Sequence, residues 1–191
     1  MQVEQSERSI PVVVQRMERV MSRITRMMAV AAGCVFLPLA FYMTMDATSR
    51  KLGGPFTAVS DDIAGQCLAF GATWSLAYAL ARGAHVRIDV LMPLYPAKLR
   101  EFLFLVAVAT AAMLGAVLAW YAWQLSYDSY LIDAKAYSML GQPLAYGQAL
   151  TAIGYTMFTV QGIVILVASG FRFVAGVGVA PATDAEFAGD I

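Results

Sequence analysis

The chain has 191 residues, of which 60% are hydrophobic and 14% charged, with thirteen Lys/Arg balancing thirteen Asp/Glu. A soluble domain is about 45–50% apolar and about 25% charged, so this chain has too few charges to coat a globule and more apolar residues than one core needs. That excludes a soluble enzyme, a disordered protein and a nucleic-acid binder, and it moves the question from net charge to where the charges sit.

After ten residues that read as a frayed lead-in, the first element is basic. Val13, Met17, Val20, Met21, Ile24 and Met28 recur at helical spacing, while Arg16, Arg19, Arg23 and Arg26 recur on another face. Two faces of this kind describe an amphipathic helix lying on an anionic leaflet. The plainer reading is a cytoplasmic extension of the helix that follows.

Four long apolar runs come next. They are residues 27–45, 63–81, 102–125 and 149–171, and none contains Asp, Glu, Lys, Arg or His. A hydrocarbon core of about 30 Å takes about 20 residues of helix. Lipid admits only helices or closed barrels, and barrel strands would alternate over about 10 residues, so four transmembrane helices are expected. A signal peptide would have an apolar stretch of only about 7–15 residues near the N-terminus, whereas the first run here is longer and starts at Met27.

The flanks set an orientation. Five arginines precede span one, four Lys/Arg lie between spans two and three, and Arg172 follows span four; only Arg50, Lys51 and Lys135 fall on the other side. The Lys/Arg-rich side is cytoplasmic, so both termini are expected inside. The expected plan is all-α: a cytoplasmic segment 1–26 with the basic helix, a four-helix membrane domain 27–173, and a flexible tail 174–191.

Within the spans, small residues recur every four positions. Gly65, Ala69, Thr73 and Ala77 do so in span two, and Ala107, Ala111, Gly115 and Ala119 in span three. Lipid tails are as apolar as Leu, so helices associate by close backbone approach and polar contacts, and both stripes are candidate packing faces on each other or on a partner. Gln161, in mid-span, is a candidate interhelical contact. Pro38 is expected to kink span one. Trp120, Tyr121 and Trp123 cluster late in span three, where an outer aromatic belt belongs. Cys34 and Cys67 differ in expected depth by more than about 10 Å, too far for a disulfide.

Ion and substrate pathways are usually marked by ionisable residues inside spans, and here the spans hold none. His85 is the one histidine, so paired axial histidines for haem are lacking and a metal site would be short of ligands. No cofactor is expected. The residues alone describe a helical membrane protein that supports something else.

The most distinctive segment joins spans two and three. Gly83 is placed to end a helix, and Ala84-His85-Val86-Arg87-Ile88-Asp89-Val90-Leu91 follows. This stretch resembles the signature loop of the small membrane subunit (DctQ-type) of tripartite ATP-independent periplasmic, or TRAP, transporters. The four-span plan, Trp120–Tyr121, Pro143, Gly154 and Gln161 match as well. The chain differs in having Asp61–Asp62 where relatives often carry glutamate, and Ala145–Tyr146 where they often carry Trp.

The resemblance implies a complex with a large multi-span permease subunit that holds the sodium and substrate sites and moves substrate by an elevator-like motion. A periplasmic solute-binding protein would deliver the substrate, an organic-acid-like solute. The small subunit would act as a stator in the bacterial inner membrane and bind no substrate itself. Gly83, His85, Arg87 and Asp89 would then either fold the inner end of spans two and three or touch the large subunit. Two other readings stand beside it. One is the membrane anchor of a quinone-linked oxidoreductase; the other is a homo-oligomeric channel lined by Thr, Ser and Gln.

Overall fold

The computed structural model describes residues 12–54, 59–83, 96–136, 138 and 141–174. They form four α-helices: α1 (Val12–Lys51), α2 (Val59–Ala81), α3 (Ala97–Leu131) and α4 (Leu144–Val174). All four are long and apolar enough to cross a membrane, and the described residues contain no strand beyond one isolated bridge, Lys135 to Pro143. The chain is therefore an all-helical, multi-pass membrane protein.

All four helices outrun the apolar stretches within them, and α2 alone stops with its stretch at the C-terminal end, at Ala81. Helical hydrogen bonding does not end where hydrocarbon ends; it continues until a turn residue or a proline interrupts it. The 40 residues of α1 span about 60 Å at 1.5 Å per residue. The helix runs unbroken across residues 26 and 27 and stays helical through Pro38. Basic segment and first span are thus one element.

At the other ends, stop signals are local. Gly83 has φ 63° and its N–H bonds the Leu80 carbonyl, a left-handed residue closing α2. The α3–α4 connection turns on Asp133 (φ 48°) and Gly141 (φ 55°). Ala136 N–H bonds Gln142 O, and Leu144 N–H bonds Ala134 O, so the described residues on its two sides are tied to each other. Lys135 pairs with Asp133 at 2.8 Å on its surface.

The helix that organises the bundle is α4. It packs along α3, along α2 and, at one end, on α1, while α1 packs mainly on α2. The packing order is α1–α2–α4–α3. Neighbours α1 and α2 run antiparallel, as do α3 and α4, whereas α2 and α4 run parallel. The parallel pair meets through a ladder with nearly constant offset. Gln66 covers Gly147, Thr73 covers Gly154 and Leu80 lies on Gly162. Seven-residue spacing keeps a contact on one side of a slightly wound helix pair, and glycine on α4 brings the backbones together.

Level with Leu80 of α2 are Gly162 of α4 and Ala112 of α3. From there α4 continues to Val174 and α2 stops at Ala81, so α4 projects about 16 Å past the end of α2.

Candidate functional site

The groups that fix one helix against another lie on seams that alternate three- and four-residue steps. On α1 the seam is Val14, Glu18, Met21, Thr25, Met28 and Ala32, of which all but Glu18 are buried and Glu18 is half-buried. On α3 it is Val108, Ala112, Gly115, Ala119, Ser126 and Ser129, all buried. These are heptad positions, which stay on one face of a helix pair.

The four-residue stripes read from the sequence cross these seams at an angle. Thr73, Ala77, Gly115 and Ala119 lie buried between helices; Ala111 is half-buried; Gly65, Ala69 and Ala107 are exposed. A strict step of four advances about 40° beyond a full turn each time. Such a stripe leaves the contact after two or three members.

Glycine sets how closely the backbones approach. A Cβ at Gly154 would stand 2.5 Å from Thr73 Oγ1 and 2.9 Å from the Thr73 carbonyl carbon. A Cβ at Gly115 would stand 2.6 Å from Phe158 Cδ1, and one at Gly162 would stand 2.9 Å from Ala112 Cβ. The Phe36 ring of α1 lies against Gly71 of α2 in the same way.

Polar side chains add specific interhelical bonds. Trp74 Nε1 donates to the Leu150 carbonyl at 2.9 Å, tying α2 to α4. Trp123 Nε1 donates to Thr156 Oγ1 at 3.1 Å, and Ser126 Oγ donates to the Ala145 carbonyl at 3.0 Å, tying α3 to α4. Trp120 and Tyr121 are two-thirds exposed and face outward. Gln161 is 4% exposed, and its Oε1 meets no donor among the described residues.

The ends of the bundle carry charge. At one end Arg172 of α4 pairs with Glu18 of α1 at 3.3 Å, beside the contact of Val14 with Ala168. At the other end Ser60, the second residue of α2 and fully buried, accepts a bond from Arg50 and donates to Asp46 Oδ2 at 2.8 Å. Arg50 also pairs with Asp46 within α1 and lies 3.8 Å from Asp61 of α2. Neither clasp was found by reading the sequence. Glu18 on the Val14–Met21–Thr25 heptad face was the available signal for the first, and Asp46 and Arg50 one turn apart for the second.

Arg16, Arg19, Arg23 and Arg26 are all exposed on α1. Of the loop residues, Gly83 is described and closes α2, while His85, Arg87 and Asp89 lie outside the described residues. Both cysteines are free, with Cys34 exposed.

Long apolar helices, glycine contacts between them and ionic clasps at their ends define a multi-span helical bundle of the membrane, with its specific chemistry spent on holding helices together. Its family follows from comparison: the model for the DctQ component of tripartite ATP-independent periplasmic transporters matches residues 39–171, more than half of the chain. The chain belongs to that family, a transporter component and not a family of enzymes. The match gives no support to a quinone-linked anchor. No curated protein and no solved structure matches the chain. The basic first half of α1 lies outside the matched range.

Proposed function

We propose that this chain is the fixed small subunit of a sodium-coupled TRAP-type uptake system in a bacterial inner membrane, with both termini cytoplasmic. It serves as the stator for a large permease subunit that carries substrate and sodium, and a periplasmic solute-binding protein delivers an organic-acid-like solute. The chain binds no substrate itself.

The observation that carries this reading is where the charged and polar groups are spent. Glu18–Arg172 and Asp46–Arg50–Ser60 join helices to helices at the two ends, and the middle is joined by glycine contacts. Such a bundle resists being sheared, as a scaffold for a moving domain must. The 10-to-3 bias of Lys/Arg in the sequence supports the orientation through the positive-inside rule. In that orientation Trp120, Tyr121 and Trp123 belong to the outer interface, and the loop bearing His85, Arg87 and Asp89 is cytoplasmic and contributes to assembly with the large subunit.

The test is reconstitution. Proteoliposomes holding the large subunit with or without this chain are given a sodium gradient and solute-loaded binding protein. Uptake is expected to collapse without the chain, and undiminished uptake would overturn the stator role.

A further inference from the structure

The first half of α1 carries more surface chemistry than its contacts use. One face is occupied: Val14 meets Ala168 and Glu18 meets Arg172. One residue away along the helix, hence about 100° around it, Val13, Met17, Val20, Ile24 and Met27 form an exposed apolar row. About 100° farther round by the same geometry, Arg16, Arg19, Arg23 and Arg26 form an exposed basic row. Glu18 is the one acidic residue between Val12 and Met28, and Arg172 engages it.

We propose that this half of α1 is a binding surface for anionic phospholipid, with the apolar row among the acyl chains and the four guanidinium groups at the level of the phosphates. The apolar row is about four turns long and the basic row about three, and they lie side by side, so a leaflet satisfies both at once. Each arginine presents a planar fork of donors that matches a phosphate's oxygens. An apolar row flanked by basic residues is the pattern of helices that bind in the plane of a charged leaflet. An acidic protein would answer the basic row and leave the apolar row in water. The proposal does not depend on the stator role, because it concerns a segment the family match does not reach.

The test uses the full-length chain in phosphatidylcholine vesicles with and without phosphatidylglycerol. Lipid retained after detergent extraction is expected to be enriched in phosphatidylglycerol for the wild type. Arg19→Gln and Arg23→Gln are each expected to lower that enrichment about fivefold, the attraction of one basic residue to an anionic surface. Inorganic phosphate at matched concentration is expected not to displace the lipid. In a Cys34→Ser/Cys67→Ser background, a spin label at Val20→Cys is expected to relax with oxygen in the phosphatidylglycerol vesicles, and one at Ser22→Cys with an aqueous nickel chelate. Equal retention of the two lipids, unchanged enrichment in the glutamine variants, displacement by phosphate, or a Val20 label open to nickel would each overturn the proposal. A Val20 label shielded from both reagents would overturn it in favour of a protein, such as a second copy, covering this face.

Discussion

Gly154→Ala tests the closest approach of a described glycine to another helix's backbone. The added methyl would stand 2.5 Å from Thr73 Oγ1, 2.6 Å from Thr73 Cβ and 2.9 Å from the Thr73 carbonyl carbon. Carbon atoms rest at about 3.5–4.0 Å, so α2 and α4 must part by roughly 1 Å, and the backbone carbon cannot rotate away as a side chain would. Overpacking of this kind costs about 1–3 kcal/mol. Alanine also improves helix propensity by about 1 kcal/mol over glycine, which would hide part of the loss. Gly65→Ala supplies the correction, because nothing lies within 4 Å of a Cβ at Gly65 and it sits in the same helix pair. The difference between the two variants isolates the packing cost, expected at about 1–3 kcal/mol, roughly a factor of 5–150 in the unfolding constant. The assay is reversible unfolding of the purified chain in mixed micelles. Equal stabilities for Gly154→Ala and Gly65→Ala would refute the close approach of α2 and α4.

Three further outcomes are expected. Arg172→Ala and Glu18→Ala each cost about 1 kcal/mol, since a charged hydrogen bond worth about 1.5–3 kcal/mol is weakened by the pair's partial exposure; a double-mutant cycle measures the coupling, and independent effects would remove the clasp. Trp123→Phe loses one bond to Thr156 and costs about 0.5–1.5 kcal/mol, while Trp120→Phe, exposed and without a partner to lose, changes unfolding by less than about 0.5 kcal/mol. Arg87→Ala and Asp89→Ala lower co-purification with the large subunit or lower uptake, and leave the order of preferred substrates unchanged; a reordered substrate series would assign the loop to the substrate path.

What could be read from the residues follows from the solvent. Lipid leaves helices as the one economical way to satisfy a backbone, so four uncharged runs meant four helices, and α2 ends where its run ends, at Ala81. The other boundaries were not legible, because the apolar run stops at the edge of the hydrocarbon and the helix does not. The seams were half legible. Counting by four marks Thr73, Ala77, Gly115 and Ala119, which are buried within this chain, together with Gly65, Ala69 and Ala107, which are exposed on it. Gly154 stood out as one weak match to a family pattern, and its contact with Thr73 belongs to a partner 81 residues away. A still longer separation in sequence hid Glu18 and Arg172, 154 residues apart.

Where the bundle spends its specific contacts follows from what lipid can and cannot replace. Apolar side chains gain little by leaving acyl chains for one another, so backbone approach and polar bonds carry the order of the helices. Arg172, the partner of Glu18, directly follows the fourth apolar run, and Asp46 directly follows the first, so both clasps lie where the hydrocarbon ends. The two ionic clasps therefore sit where charges keep some water, and the glycine contacts take the interior. In that interior the ladder between α2 and α4 sets register as well as distance. Sliding by one turn would carry Thr73 from Gly154 onto Leu150 or Phe158 and would break the bond from Trp74 to the Leu150 carbonyl. Neither side chain leaves the gap that glycine leaves. Helices locked against sliding and clasped at both ends transmit a sideways load without changing shape, which is the mechanical property a stator needs from the helix pair at its centre.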